Sequence, residues 1–124
     1  MTEKTPLLRQ IHPNFFQNGQ PTHVAFRPFT KDKGHLSVYD GDQISPEQSY
    51  RQYTEERKLK SDGVLAVLVR ECTILDLPVA SSPEEFKEHA HIDFTACDRK
   101  QIETKSKELL AFAIARDWVY RNEN

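Results

Sequence analysis

Hydrophobic residues recur along this chain with two periods, and the changes between them mark its elements. The first 20 residues have no clear period. Thr5-Pro6 opens a short helical turn through LLRQI that has to end before Pro13, and the segment 1–20 is otherwise irregular up to the turn sequence NGQP. THVAFRPF then alternates. Val24 and Phe26 fall on one side, His23, Ala25 and Arg27 on the other, which predicts a strand limited by Pro28. After TKDKGH, the stretch LSVYDGD predicts a second strand closed by Asp-Gly, and the two make a hairpin.

ISPEQ is a helix start. Ser45 is the N-cap, Pro46 takes the first helical position and Gln48 completes a capping box, with the helix running to about Lys58 and Tyr50 and Tyr53 on its apolar side. VLAVLVREC is the longest apolar run. Its valines and its lack of alternation predict a central strand buried on both faces. LDLPVASS reads as a loop or short edge segment, and Ser82-Pro83-Glu84-Glu85 repeats the serine-proline helix start for a turn or two. HAHIDF alternates again: Ala90, Ile92 and Phe94 face inward while His89, His91 and Asp93 share the other side. Asp98 caps the last helix with Gln101 three residues on, and Ile102, Leu109, Leu110 and Ala113 recur at helical spacing. No repeat or linker interrupts residues 1–124, so these mixed elements predict a single α+β domain. Its sheet is small and mainly antiparallel, with one or two helices packed on one face.

Composition narrows the partners. Seven Phe, four Tyr and one Trp supply core material in a chain that is 29% charged, so a globular rather than a disordered protein is expected. The net charge of −2 gives no support for nucleic acid, which calls for a basic surplus. No stretch is apolar and long enough for a membrane span, and no signal-peptide pattern opens the chain. Cys72 and Cys97 are too few for a disulfide framework, so a cytoplasmic protein with two reduced thiols is expected, one bridge between them being the alternative.

Chemistry concentrates in two stretches. Along HAHIDF the side chains of His89, His91 and Asp93 follow each other at about 7 Å on one face. HVAF echoes HIDF, and if the two strands lie side by side, His23 and Arg27 join His89, His91 and Asp93 around one spot. One imidazole then takes a proton, another gives it, and the arginine holds an anionic oxygen, which suits metal-independent phosphodiester chemistry. His89 and His91 are also a weak pair of zinc ligands to which Asp93, Cys97 or Cys72 could be added, although no spacing selects the third. The plain reading is that these polar residues form the wet side of a sheet. Asp40 and Asp42 flank a glycine turn with too few oxygens for calcium.

Two functions fit. The first is a small intracellular protein-interaction module: an inhibitor, an immunity or antitoxin-like protein, or a complex subunit. It needs no cofactor, has a protein partner, and draws its anchors from Phe15, Phe16, Phe29, Tyr50, Tyr53 and Trp118. The second is a small phosphodiesterase or nuclease-like hydrolase using His23, Arg27, His89 and His91, and it requires those four to meet in one cleft.

Overall fold

The computed structural model describes residues 1–122. Its elements run β1 (Pro6–Gln10), β2 (Phe16–Gln17), β3 (Gln20–Pro21), β4 (His35–Asp40), α1 (Pro46–Arg51), β5 (Gly63–Leu68), α2 (Val69–Ile74), β6 (Val79–Ser81), β7 (His89–Asp93), α3 (Arg99–Arg116) and β8 (Tyr120–Arg121). Six strands form one sheet in the order β6-β7-β4-β1-β5-β8, and β2 with β3 forms a separate two-stranded ribbon. All the pairings are antiparallel. The chain is a small single-domain α+β fold, and no described helix is long and apolar enough to cross a membrane.

The sheet is covered on both faces. On one, Leu7, Val38, Val67, Ala90 and Ile92 pack with Phe26, Leu109 and Ala113, so α3 lies over this side. On the other, Leu8, Tyr39, Val64 and Ala66 pack with Tyr50, Tyr53 and Phe86. Burying an aromatic or branched side chain as fully as Phe26 or Ile92 contributes about 1.5–3 kcal/mol.

The capped helices follow the sequence. Ser45 and Gln48 exchange side-chain-to-backbone hydrogen bonds, and Asp98 and Gln101 do the same at the start of α3. After α1 the chain continues as a short π-helix over Gln52–Glu56. Asn18 and Gly19, both at positive φ (54° and 78°), make the two-residue turn between β2 and β3.

Several expectations are corrected. The segment 1–20 is not irregular, and PLLRQ is not a helical turn but β1, paired with β4 on one edge and with β5 on the other. Leu7 and Leu8 are buried on opposite faces, which a strand between two layers requires, and Pro6 is tolerated at its first residue. THVAFRPF does not form a strand or a hairpin with β4. His23–Phe26 is a 3₁₀ turn in which the adjacent Ala25 and Phe26 are both buried. Both edges of β4 are already taken, by β1 and β7, so the segment has no neighbour to pair with.

VLAVLVREC is strand only to Leu68. There the Glu71 carboxylate accepts the Leu68 N–H at 2.7 Å and binds Arg116 through both oxygens, which fixes the switch into α2. β5 is buried on both faces as expected, but it lies one place in from the β8 edge, and β4 and β1 hold the middle. Ser82-Pro83-Glu84-Glu85 forms turns instead of a helix, because the Ser82 hydroxyl is engaged by histidine and does not cap.

Candidate functional site

The five residues singled out by sequence divide between the two faces of the sheet. His23 and Arg27 belong with α3: His23 Nε2 lies 2.8 Å from Glu103 Oε1, and Arg27 Nη1 lies 3.3 Å from Glu103 Oε2. Desolvation pushes the Glu103 carboxyl up, but His23, Lys107 and Arg27 outweigh it and the group titrates below its ordinary value. His89, His91 and Asp93 alternate with Ala90 and Ile92, whose side chains pack in the layer that contains α3, so the three face the opposite way. The structure does not bring His23 and Arg27 together with His89 and His91.

His35 joins the second group from β4, because the register sets it opposite Asp93 and sets Ser37 opposite His91. The His35 and His91 rings stack with centroids 4.2 Å apart. His89 is 5% exposed and satisfied at both ring nitrogens: Nδ1 is 2.5 Å from Ser82 Oγ and 3.1 Å from the Ser82 carbonyl, and Nε2 is 3.0 Å from Ser37 Oγ. An acceptor-only group stands near each ring nitrogen, the Ser82 carbonyl at Nδ1 and the Glu85 carboxylate 3.7 Å from Nε2. With the hydrogen on Nδ1, Nε2 accepts from Ser37 and the Ser82 hydroxyl donates to His91 Nδ1 at 3.3 Å.

In that tautomer the chain runs from Ser37 to His89 to Ser82 to His91, the wrong way for Ser82 as a nucleophile with His89 as its base. Desolvation and the neighbouring His35 lower the His91 pKa, against a smaller opposite pull from Asp93. The Asp93 carboxyl is itself held low by the Thr95 side chain and the Thr95 backbone N–H.

For metal, His89 and His91 gain no companions. Among the described residues no three His, Cys, Asp or Glu side chains gather as a ligand set. Cys72 and Cys97 are both free thiols; burial raises the Cys72 pKa to about 12, so it is not a ready nucleophile. The aspartates of YDGD are engaged internally. Asp40 accepts from the Asp42 backbone and from Gln43, and Asp42 accepts from Thr5 at 2.5 Å.

A second region was not visible as a motif. β1 and β4 pair only at Leu7 and Leu8, opposite Asp40 and Tyr39, and then part. Arg9 occupies the opening. Its Nε donates to the Ala25 carbonyl at 2.6 Å and its Nη1 to the Ser37 carbonyl at 2.9 Å, with the guanidinium 5.8 Å from the centre of the Phe15 ring. Among the described residues no carboxylate lies within ion-pair distance of it, and Nη2 has no bonded acceptor. Desolvation lowers its pKa to about 10, although Tyr53 and Asp32 act through space in the other direction.

Arg9 and Tyr53 are shared by two concavities. One is a groove bordered by His12, Asn14, Phe15, Val24 and Phe29. The other is a small niche walled by Leu8, Tyr39, Arg57 and Phe86, where Arg57 stacks over Phe86 at 4.9 Å and Tyr53 at 5.6 Å. The Tyr39 hydroxyl is buried there without an aligned hydrogen-bond partner; burial raises its pKa and the adjacent Arg57 opposes the rise. Three of the aromatic anchors expected from sequence, Phe15, Phe29 and Tyr53, meet at this groove. Trp118 and Phe16 instead stack on each other at 6.1 Å, and Tyr50 tilts against Tyr120 at 5.0 Å. Comparison of the chain with protein-family models, with curated proteins and with solved structures found no match in any of the three.

Proposed function

We propose that this chain is an intracellular protein-interaction module, of the kind that inhibits a partner or serves as a subunit of a complex, and that it binds through the groove at Phe15, Phe29 and Tyr53. The observation that carries the reading is the convergence of these rings on one concave surface, with Phe29 left 42% exposed beside the nearly buried Phe15. Aromatic anchors around a pocket, rimmed by polar groups such as Asn14 and His12, are what concentrate binding energy in protein interfaces. The unpaired thiols of Cys72 and Cys97 suit a reducing compartment. The hydrolase alternative asks four residues to share a cleft, and His23 and Arg27 lie across the sheet from His89 and His91.

A photo-crosslinking residue placed at position 29, and separately at position 91, tests this in cells that make the protein. A discrete protein adduct from position 29 that disappears with Tyr53→Ala is the expected result. Adducts from position 91 alone would move the interface to the histidine strand and contradict the proposal.

A further inference from the structure

The groove carries information about what its partner presents. A guanidinium is a fork of donors that is stable in a desolvated place when a carboxylate or other acceptor meets it, and a cation without a counter-charge is costly to bury. Arg9 meets two neutral carbonyls and the Phe15 ring, and among the described residues no carboxylate lies in ion-pair contact with it. In the adjoining niche Tyr39 is a 3% exposed residue whose hydroxyl has no aligned partner, and Arg9 and Arg57 line the same small space. That space is about 30 Å³. A water needs roughly 10–15 Å³, so the niche has room for about two waters, the size of a carboxylate head and too little for a phosphate with its sugar.

The apolar groove opens directly from the niche through Arg9 and Tyr53. We infer that the site takes a protein segment whose aspartate or glutamate carboxylate enters the niche, bound by Arg9 and Tyr39, while a neighbouring apolar side chain lies against Phe15, Phe29 and Tyr53. This rests on the interaction reading and gives its partner a chemistry. A nucleic-acid strand fits less well. The chain's net charge of −2 supplies no basic surplus for a run of phosphates, and the niche has room for one small anionic head only.

The test is a selection of linear peptides from a random displayed library against the wild-type protein. Affinities of the selected peptides are then measured for wild type, Tyr39→Phe and Phe29→Ala. Tyr39→Phe removes a hydroxyl that makes no aligned bond, so the variant folds and reads binding alone. The expected peptides carry an acid next to an aromatic or aliphatic residue. Changing that acid to its amide weakens binding about five- to ten-fold, and with Tyr39→Phe the same change costs less, because the two groups share one contact.

Selected peptides without an acid, or with one whose amide form binds equally, overturn the carboxylate inference; if they still depend on Phe29, the interaction reading survives. Peptides indifferent to Phe29→Ala, or an empty selection, overturn both. Oligo(dT) that binds with Phe29 dependence more tightly than any peptide replaces both with a single-stranded nucleic-acid site.

Discussion

The histidine strand and the arginine groove are neighbours, joined at Ser37, whose hydroxyl meets His89 while its carbonyl accepts from Arg9. They are opposite in how far their polar groups are satisfied. In β7 the groups that look reactive in sequence use each other: His89 is held at both nitrogens by two serines, and Asp93 is held by Thr95. In the groove the polar atoms come from four separate parts of the chain, and two of them are left open, Arg9 Nη2 and the Tyr39 hydroxyl. A dense cluster of titratable residues can be a closed structural network, whereas open donors next to exposed rings are what a ligand can still use.

The comparison can be broken by substitution. The largest effect is expected from Arg9→Met. It leaves the carbonyls of Ala25 and Ser37 without their donor and should cost about 3 kcal/mol of folding stability in urea titrations, as well as binding. If the variant unfolds at the wild-type midpoint, the guanidinium is not bridging the gap between β1 and β4. His89→Ala comes next, at about 2 kcal/mol, because it strips partners from the buried Ser82 and from Ser37. A neutral result there would return His89 to the status of a solvated residue. Tyr39→Phe should leave stability unchanged or raise it by up to about 1 kcal/mol while weakening peptide binding, a combination that a merely structural tyrosine would not give.

The smallest effect concerns pH. The folded state holds His91 below its ordinary value of 6.5, through desolvation and His35, so the unfolded chain takes up that proton first. The contribution is therefore fully present above pH 6.5, and it is lost as pH falls from there through the lower folded value. Unfolding curves at pH 7.5 and pH 5.0 should differ less for His91→Asn than for wild type. An unchanged difference would remove His91 from the acid sensitivity of the fold.

How much of this was legible depends on the range of the interactions. Ser45 with Gln48 and Asp98 with Gln101 are bonds across three residues, and both helix starts lie where those residue types put them. β7 was legible because its alternation is complete, with Ala90, Ile92 and Phe94 all buried. PLLRQ gave no alternation because it is covered on both faces, and its partners, from Tyr39 and Asp40 in β4 to the residues of β5, lie far along the chain and decide that it is a strand. THVAFRPF had the alternation but not the neighbour, and long-range pairing outweighs a local pattern.

The same limit explains the site. His89, His91 and Asp93 were visible because they are contiguous. The groove was not, because Arg9, Phe15, Phe29, Tyr39, Tyr53 and Arg57 have no shared spacing and meet only once β1 and β4 diverge. The one available hint was Arg9 itself, a charged residue beside the apolar pair Leu7-Leu8, in a segment that has to be buried for those leucines to be buried.

The central claim is that recognition takes place at the groove and not at the histidines. The most direct measurement is an NMR shift map of the labelled protein with its selected peptide. Movement of the Arg9 Nε–Hε signal and of the Phe15, Phe29 and Tyr53 ring signals, with His35 and His91 unmoved, is the predicted result. Shifts confined to the His35 and His91 rings, with the Arg9 signal unchanged, would contradict it.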